Sequence, residues 1–432
     1  MDDTPQEQMQ SERMSMINSK KRETSVEENM KLFESLMKGE KESQMYCLRA
    51  KIDMQSVNGT MRDPVLYRYN ETPHHRTGTK YKAYPTYDMA CPIVDSIEGV
   101  THALRTTEYN DRDEQYHWLQ RAMKLREVNI YSFGKMNFIH TVLSKRKLNW
   151  FVEKKLVDGW SDPRFPTIQG CVRRGMEINV LKNFILMQGA SRRVITMEWD
   201  KFWSENKKAL EETSSRYMAI DKLTAVPFII TNMDISTSSV VSVQIHPQKP
   251  ELGYRAMRRS NRLLLEGEDA VLLREGEEVT LLRWGNFFID KINKNEEGKI
   301  IDIQGRTHPE AKNFSKTKKL TWLADVPEII EIKMIEFGHL ITKQKLLDTE
   351  NFTDYINPCT KYETIGYGDA CLRTIQQGQV IQLERKGFFR CDVTYCVSSL
   401  SLSLSPRPIV LFQIPDGRVK ATSPVSTALL VK

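Results

Sequence analysis

The sequence predicts two architectures in succession, α/β and then all-β, on three observations. From Tyr84 to about Trp150, short apolar runs alternate with helical stretches, the pattern of an α/β layer. Beyond about Thr224, brief β-rich runs recur between turns, and strands at that spacing favour barrels or sandwiches. This second stretch, roughly 200 residues long, suits two small barrels better than one. No internal repeat is visible.

Each element has its own signal. Residues 1–45 are charged and helical in pattern, and Thr4-Pro5-Gln6-Glu7 offers a cap, a proline at the first helical position and a reciprocal Glu. Ser25-Val26-Glu27-Glu28 repeats the capping box. Val26, Met30, Phe33 and Met37 then mark one apolar face, and Gly39 stops the helix. In 47–54, Leu48, Ala50, Ile52 and Met54 share one face while Arg49, Lys51 and Asp53 share the other, which predicts a half-buried strand. Residues 64–69 predict another, and Arg76-Thr77-Gly78 a turn. Residues 151–222 read as helical, with Trp160, Pro163 and Pro166 marking a structured turn. Further strands are expected at 226–231, 240–245, 279–284, 300–303, 320–323 and 380–383, with Asn295-Glu296-Glu297-Gly298 as a hairpin loop. The Ser/Leu alternation at 398–405 predicts one more strand, and the chain from Ser423 reads as a frayed end or the start of a linker.

Composition narrows the class. Hydrophobic residues are 40% and charged residues 28% of the 432, which excludes collagen-like, disulfide-scaffold and wholly disordered chains. No run of 18 or more apolar residues exists, so no spanning helix and no membrane partner is expected. The first residues are acidic and polar, without a secretory or transit pattern. The seven cysteines are scattered, Cys391 and Cys396 being the only close pair. Reduced thiols in the cytoplasm are therefore the expectation, with no metal site. Net charge is +7, and the surplus clusters: Arg255, Arg258, Arg259 and Arg262; Lys312, Lys316, Lys318 and Lys319; and Ser144-Lys145-Arg146-Lys147. Charge alone leaves nucleic-acid contact at even odds.

Common signatures are absent. There is no G-x-x-x-x-G-K-[ST] loop, Gly366-Tyr367-Gly368 lacks the third glycine of a dinucleotide fingerprint, and His74-His75 is an adjacent pair better explained as a polar loop than as metal ligands. What remains is collinear. Val142-Leu143-Ser144-Lys145-Arg146-Lys147 resembles the K-M-S-K-S loop of class I aminoacyl-tRNA synthetases in its eukaryotic and archaeal glutamate/glutamine form. Taken alone, it would be a solvated basic face. Upstream, 84–109, with Tyr87 and Arg105, resembles that family's amino-acid pocket. The stretch 158–167 resembles its next signature, and 61–68, beginning Met61-Arg62-Asp63-Pro64, a preceding one. The resemblance runs from about Asp2 to Gly417 and is strongest to the glutamate-activating part of bifunctional glutamyl–prolyl enzymes.

The resemblance implies a partial class I nucleotide-binding, Rossmann-like fold. Its parts would be acceptor-binding insertion at 1–83, catalytic fold at 84–150, helical subdomain at 151–222, two anticodon-binding β-barrels at 223–417 and a tail or linker at 418–432. It implies a glutamate–tRNA ligase using ATP with Mg2+ as substrate, L-glutamate and tRNA(Glu), and it allows a place in a multi-synthetase complex. Alternatives are a tRNA-binding fragment without catalysis, or a scaffold component. Lys145 and Ser144 would be catalytic. Val142, Leu143, Ser144, Lys145 and Arg146 would hold ATP, since charge developing on phosphate is best met by a fixed cation.

Arg105 would read the γ-carboxylate with Tyr87, because a buried guanidinium left unpaired by an amide rejects glutamine. Glutamine-specific relatives carry Cys there. The plainer alternative is a structural Arg paired with Glu108 or Asp95. Arg62 and Asp63 would face the acceptor stem. Lys316, Lys318 and Lys319 would contact phosphates, and Trp322 would stack a splayed base unless it is a core residue. Finally, none of the eight histidines begins an H-x-G-H, the family's other ATP-contacting signature, so the first half of the catalytic fold is expected to be missing from this chain.

Overall fold

The structure, a computed structural model, describes residues 1–234, 238–311, 314–347, 349–396 and 407–417. The strand expected at 398–405, Lys312 and the tail at 418–432 lie outside them. The chain forms two compact units, one comprising Met1–Met136 and Ala190–Ile195, the other Asn137–Gly189 and the chain from Thr196.

The first unit opens with helices α1 (Gln6–Met14) and α2 (Val26–Lys38). α2 begins and ends as its sequence dictates, with Ser25 Oγ accepting from the Glu28 N–H at 3.2 Å and Gly39 in the left-handed conformation at φ 76°. α1 does not, because Thr4 spends both N–H and hydroxyl on Asp2 Oδ1 and Pro5 takes the cap position. The apolar face of α2 is also only partly used. Leu36 is buried and Phe33 meets Tyr67 edge-on, but Val26, Met30 and Met37 are exposed.

Strands β1 (Cys47–Arg49), β2 (Val65–Tyr69) and β3 (Ala83–Pro85) form an antiparallel sheet. β1 is shorter than its alternation suggests because Asp63 captures the chain beyond it. Asp63 Oδ1 accepts the Ile52 N–H at 2.8 Å, and the Asp63 carbonyl accepts from Arg49. Next, α3 (Tyr87–Ile97), β4 (His102–Thr106), α4 (Asp113–Ala122) and β5 (Asn129–Phe133) supply the expected α/β layer. β4 and β5 are parallel, with Arg105 opposite Ser132 and α4 as the crossover. Ala103, Tyr116 and Val128 are the buried centre of this βαβ unit.

β6 (Met136–Phe138) leads into the second unit, where α5 (Lys145–Glu153), α6 (Ile168–Arg173), α7 (Ile178–Gln188) and, after β7 (Ile195–Met197), α8 (Trp199–Thr213) follow. The helical reading of 151–222 fails at its end: β8 (Ser215–Tyr217) and β9 (Ala219–Asp221) already belong to the β-rich part. β10 (Val226–Ile230), the ribbon β11 (Ser239–Gln244) and β12 (Tyr254–Arg259), β13 (Arg262–Leu265), the short α9 (Gly267–Ala270), β14 (Glu278–Leu281), β15 (Gly285–Lys294), β16 (Ile300–His308), β17 (Lys318–Leu320) and β18 (Trp322–Ala324) come next. β19 (Ile330–Phe337), β20 (Lys361–Gly368), β21 (Val380–Leu383), β22 (Gly387–Val393) and β23 (Ile409–Ile414) complete the described chain.

These strands build two seven-stranded sheets on one plan. The first runs β17-β14-β15-β16-β10-β13-β18 and the second β8-β21-β22-β23-β19-β20-β9, with the same sequence of parallel and antiparallel neighbours. The stretch expected as one strand at 320–323 breaks at Thr321, so Leu320 pairs with β14 while Trp322 pairs with β13. One bent segment thus forms both edges of the sheet and brings them together. Residues 215–221 do the same for the second barrel, although they precede the first barrel in the chain.

The duplication, invisible as a repeat, recurs in the backbone. Gly276 and Gly378 have φ of 78° and 84°, and Arg283 and Arg385 have 62° and 68°. The two arginines reach across reciprocally, Arg283 Nε to Glu384 at 2.6 Å and Arg385 Nη2 to Asp269 at 2.8 Å.

The segment 215–221 is buried on both faces. Tyr217 and Ala219 lie in the second barrel's core, and Met218 and Ile220 in the first's. Ile220→Ala is therefore expected to cost about 2–4 kcal/mol and to weaken both barrels. In urea, Trp322 fluorescence and amide exchange in β22 should shift together; a shift confined to one barrel would contradict the shared strand.

Candidate active site

Arg105 sits on β4, where the period of two turns Ala103 and Arg105 inward and Leu104 outward. Arg105 is 8% exposed, and its guanidinium lies 5.8, 5.0 and 5.3 Å from the rings of Tyr87, Tyr109 and Tyr116. Nε and Nη1 are buried and donate to no acceptor. Neither acid of the structural alternative is its partner. Glu108 faces Lys135 at 3.4 Å, and Asp95 accepts from the Tyr116 hydroxyl at 2.8 Å and from Cys91.

Three cation–π contacts return about 0.5–2 kcal/mol each. Drying a cation costs several, and the one acid paired with it, Asp113 at 3.8 Å, makes no hydrogen bond to it, so the guanidinium is under-compensated. Tyr87, half exposed, carries its hydroxyl beside Cys91, whose hydrogen bond, with burial, raises the phenol above its usual range. Arg105 and Tyr87 are thus brought together, as expected. Tyr109, the last residue of the stretch that resembles the family's pocket, and Tyr116, which the sequence did not single out, add the other two ring faces.

The basic loop lies in the second unit. Val142 is buried with Leu148 and Phe151, while Leu143, Ser144, Lys145 and Arg146 are exposed. Ser144 is the cap residue of α5, yet its hydroxyl caps nothing, and the first turn holds three cations and no acid. Cations at a helix N-terminus oppose the helix dipole, an arrangement an anion would relieve.

The loop's root is pinned. Trp199 Nε1 donates to Thr141 Oγ1 at 2.9 Å. His140 takes φ 53° and gives its N–H to Gln344 O at 2.9 Å, and its ring stacks on His339 at 5.0 Å. Burial, with help from Arg174 and then His140, holds His339 down at about 3. Arg105 falls in the first unit and Lys145 in the second.

The residues expected to face tRNA are placed less favourably. Arg62 spends its guanidinium on the carbonyls of Arg13, Ser56 and Val57. Asp63 is buried, at φ 42°, and held by Arg22 at 2.6 Å and by Ile52. It fixes the backbone beyond β1 and offers no surface to a stem. Lys318 is paired with Glu277 at 2.8 Å, and Lys319 with the carbonyls of Phe314 and Thr317, while Lys316 is exposed. Trp322 is 2% exposed, its indole N–H given to Leu282 O at 2.9 Å, so it is a core residue without a free face for a base. Arg258 and Arg262 are likewise matched with Glu328 and Asp325.

Comparison with known proteins agrees with this architecture. The family description "tRNA synthetases class I (E and Q), catalytic domain" matches residues 1–212, and two anticodon-binding descriptions of the same group match 214–308 and 319–392. The chain belongs to the class I tRNA synthetases of the glutamate and glutamine group. A bifunctional glutamate/proline–tRNA ligase of Cricetulus griseus is 49% identical over 422 residues, which is 97% of this chain and 28% of the relative. Cytoplasmic glutamate–tRNA ligases of Arabidopsis thaliana and Saccharomyces cerevisiae are 48% and 43% identical over 97% and 96% of this chain. The chain spans 57% of the length of each of these two.

Two outcomes follow. Arg105→Met should change unfolding stability in urea by no more than about 1 kcal/mol, since its one ion pair, with Asp113 at 3.8 Å, carries no hydrogen bond; a large loss would mark Arg105 as structural. His339 is neutral when folded but titrates near the ordinary value when unfolded. Its contribution is whole above pH ~6.5 and falls away as pH drops toward 3. His339→Phe should flatten the fall in urea midpoint between neutral and acid pH.

Proposed function

We propose that the chain works in glutamate–tRNA ligation, in which ATP, L-glutamate and tRNA(Glu) give glutamyl-tRNA, AMP and pyrophosphate. The observation that carries this is the buried, under-compensated guanidinium of Arg105 among three tyrosines. A γ-carboxylate would accept from Nε and Nη1, whereas an amide would bring no charge and a mismatched N–H. In activation, the α-carboxylate oxygen attacks the α-phosphorus and the bond to pyrophosphate breaks. Lys145, Arg146 and the free N–H groups at the start of α5 would take the charge that builds on the phosphates, with Mg2+ travelling as part of the nucleotide. Ser144, its hydroxyl unused for capping, is an additional donor.

Residues 1–83 would serve the acceptor end and the barrels the anticodon, with Lys316 the freest of the expected phosphate contacts. Relatives named cytoplasmic support a cytoplasmic site, and among the described residues no helix is long and apolar enough to cross a membrane. The bifunctional relatives favour a place in a multi-enzyme assembly.

A second reading is tRNA binding without activation, with the exposed Lys145, Arg146 and Lys316 as phosphate contacts. Pyrophosphate exchange decides. Under the first reading it depends on glutamate, not glutamine, and Lys145→Ala lowers it about 100- to 1,000-fold. Under the second, exchange is absent, while tRNA binding survives Lys145→Ala and weakens steeply with salt.

A further inference from the structure

An acid stands beside Arg105 among the same elements. Asp113 is the first residue of α4, and its Oδ1 lies 3.8 Å from Arg105 Nη1, too far for a hydrogen bond. Both of these atoms are buried and unpartnered, as is Arg105 Nε. Burial pushes the Asp113 carboxyl above its usual range, and Arg105, then His117 and Arg192, pull it back. Opposite charges at this separation attract, yet the gap has not closed. Such a contact does little for the fold, because the guanidinium and Asp113 Oδ1 have lost water without gaining a hydrogen bond, while the rest of the Asp113 side chain stays a third exposed.

We propose that Asp113 is the resting counter-ion of Arg105, displaced when a ligand carboxylate takes the guanidinium. This rests on the glutamate reading of the pocket. With the pocket empty, Asp113 partly neutralises Arg105 and keeps it directed among the tyrosine rings. A ligand acid then has to displace this contact while feeling a like charge beside it, so its affinity is held down and its release is eased. A neutral amide feels only the first effect. Asp113 therefore acts through Arg105, as a positioning residue that sets the strength of acid binding.

Equilibrium dialysis of the full chain against labelled L-glutamate and L-glutamine tests this. Asp113→Asn should tighten glutamate binding about five- to tenfold and glutamine binding less, and Asp113→Glu should stay near wild type. Asp113→Ser guards against an effect peculiar to asparagine and should move in the same direction. Unchanged or weaker glutamate binding in folded Asn and Ser variants, or an equal change for both amino acids, overturns the counter-ion role alone. If the unaltered chain binds no glutamate, the pocket reading falls first and takes this inference with it.

Discussion

A cation deprived of water and given aromatic faces in place of an acid is the constraint around which the α/β unit is arranged. β4 sets Arg105 inward, α3 and α4 bring Tyr87 and Tyr116 against it, and the turn between β4 and α4 adds Tyr109. Each ring removes solvent and returns only part of what solvent gave. The nearby acids are either occupied elsewhere or stand too far off to bond. A fold keeps such a group when something outside the fold completes it.

The basic loop expresses the same principle with different means. Lys145, Arg146 and Lys147 place cations where α5 already presents positive N–H groups, and no acid in the first turn softens the repulsion. The stiffness comes from beneath: Val142 in an apolar cluster, Thr141 held by Trp199, and His140 stacked on His339. An exposed charge cluster on a buried foundation suits a group that must meet phosphate without moving far.

Local chemistry was legible where it was self-contained. The Ser25 cap and Gly39 stop of α2, the β–α–β alternation around Arg105, and most of the barrel strands follow from spacing and turn residues alone. Three readings failed because long-range partners decided them. β1 ends early because Asp63, in the loop before β2, takes the Ile52 N–H. Trp322 is core because the segment bends at Thr321 to close a barrel, which no window of ten residues reveals. Residues 215–221 look like the tail of a helical region and are strands because barrel residues far downstream supply their partners. The twofold plan of the barrels escaped notice for a related reason: it survives in backbone angles and strand order, while the side chains have diverged.

That shared segment also fixes an order of events during synthesis. The strands that seal the second barrel leave the ribosome more than a hundred residues before their partners β20 and β21. Meanwhile Met218 and Ile220 are claimed by the first barrel's core. The growing chain must therefore carry an apolar ribbon with one side settled and the other waiting, and cutting between the barrels would leave the second without the two strands that close it.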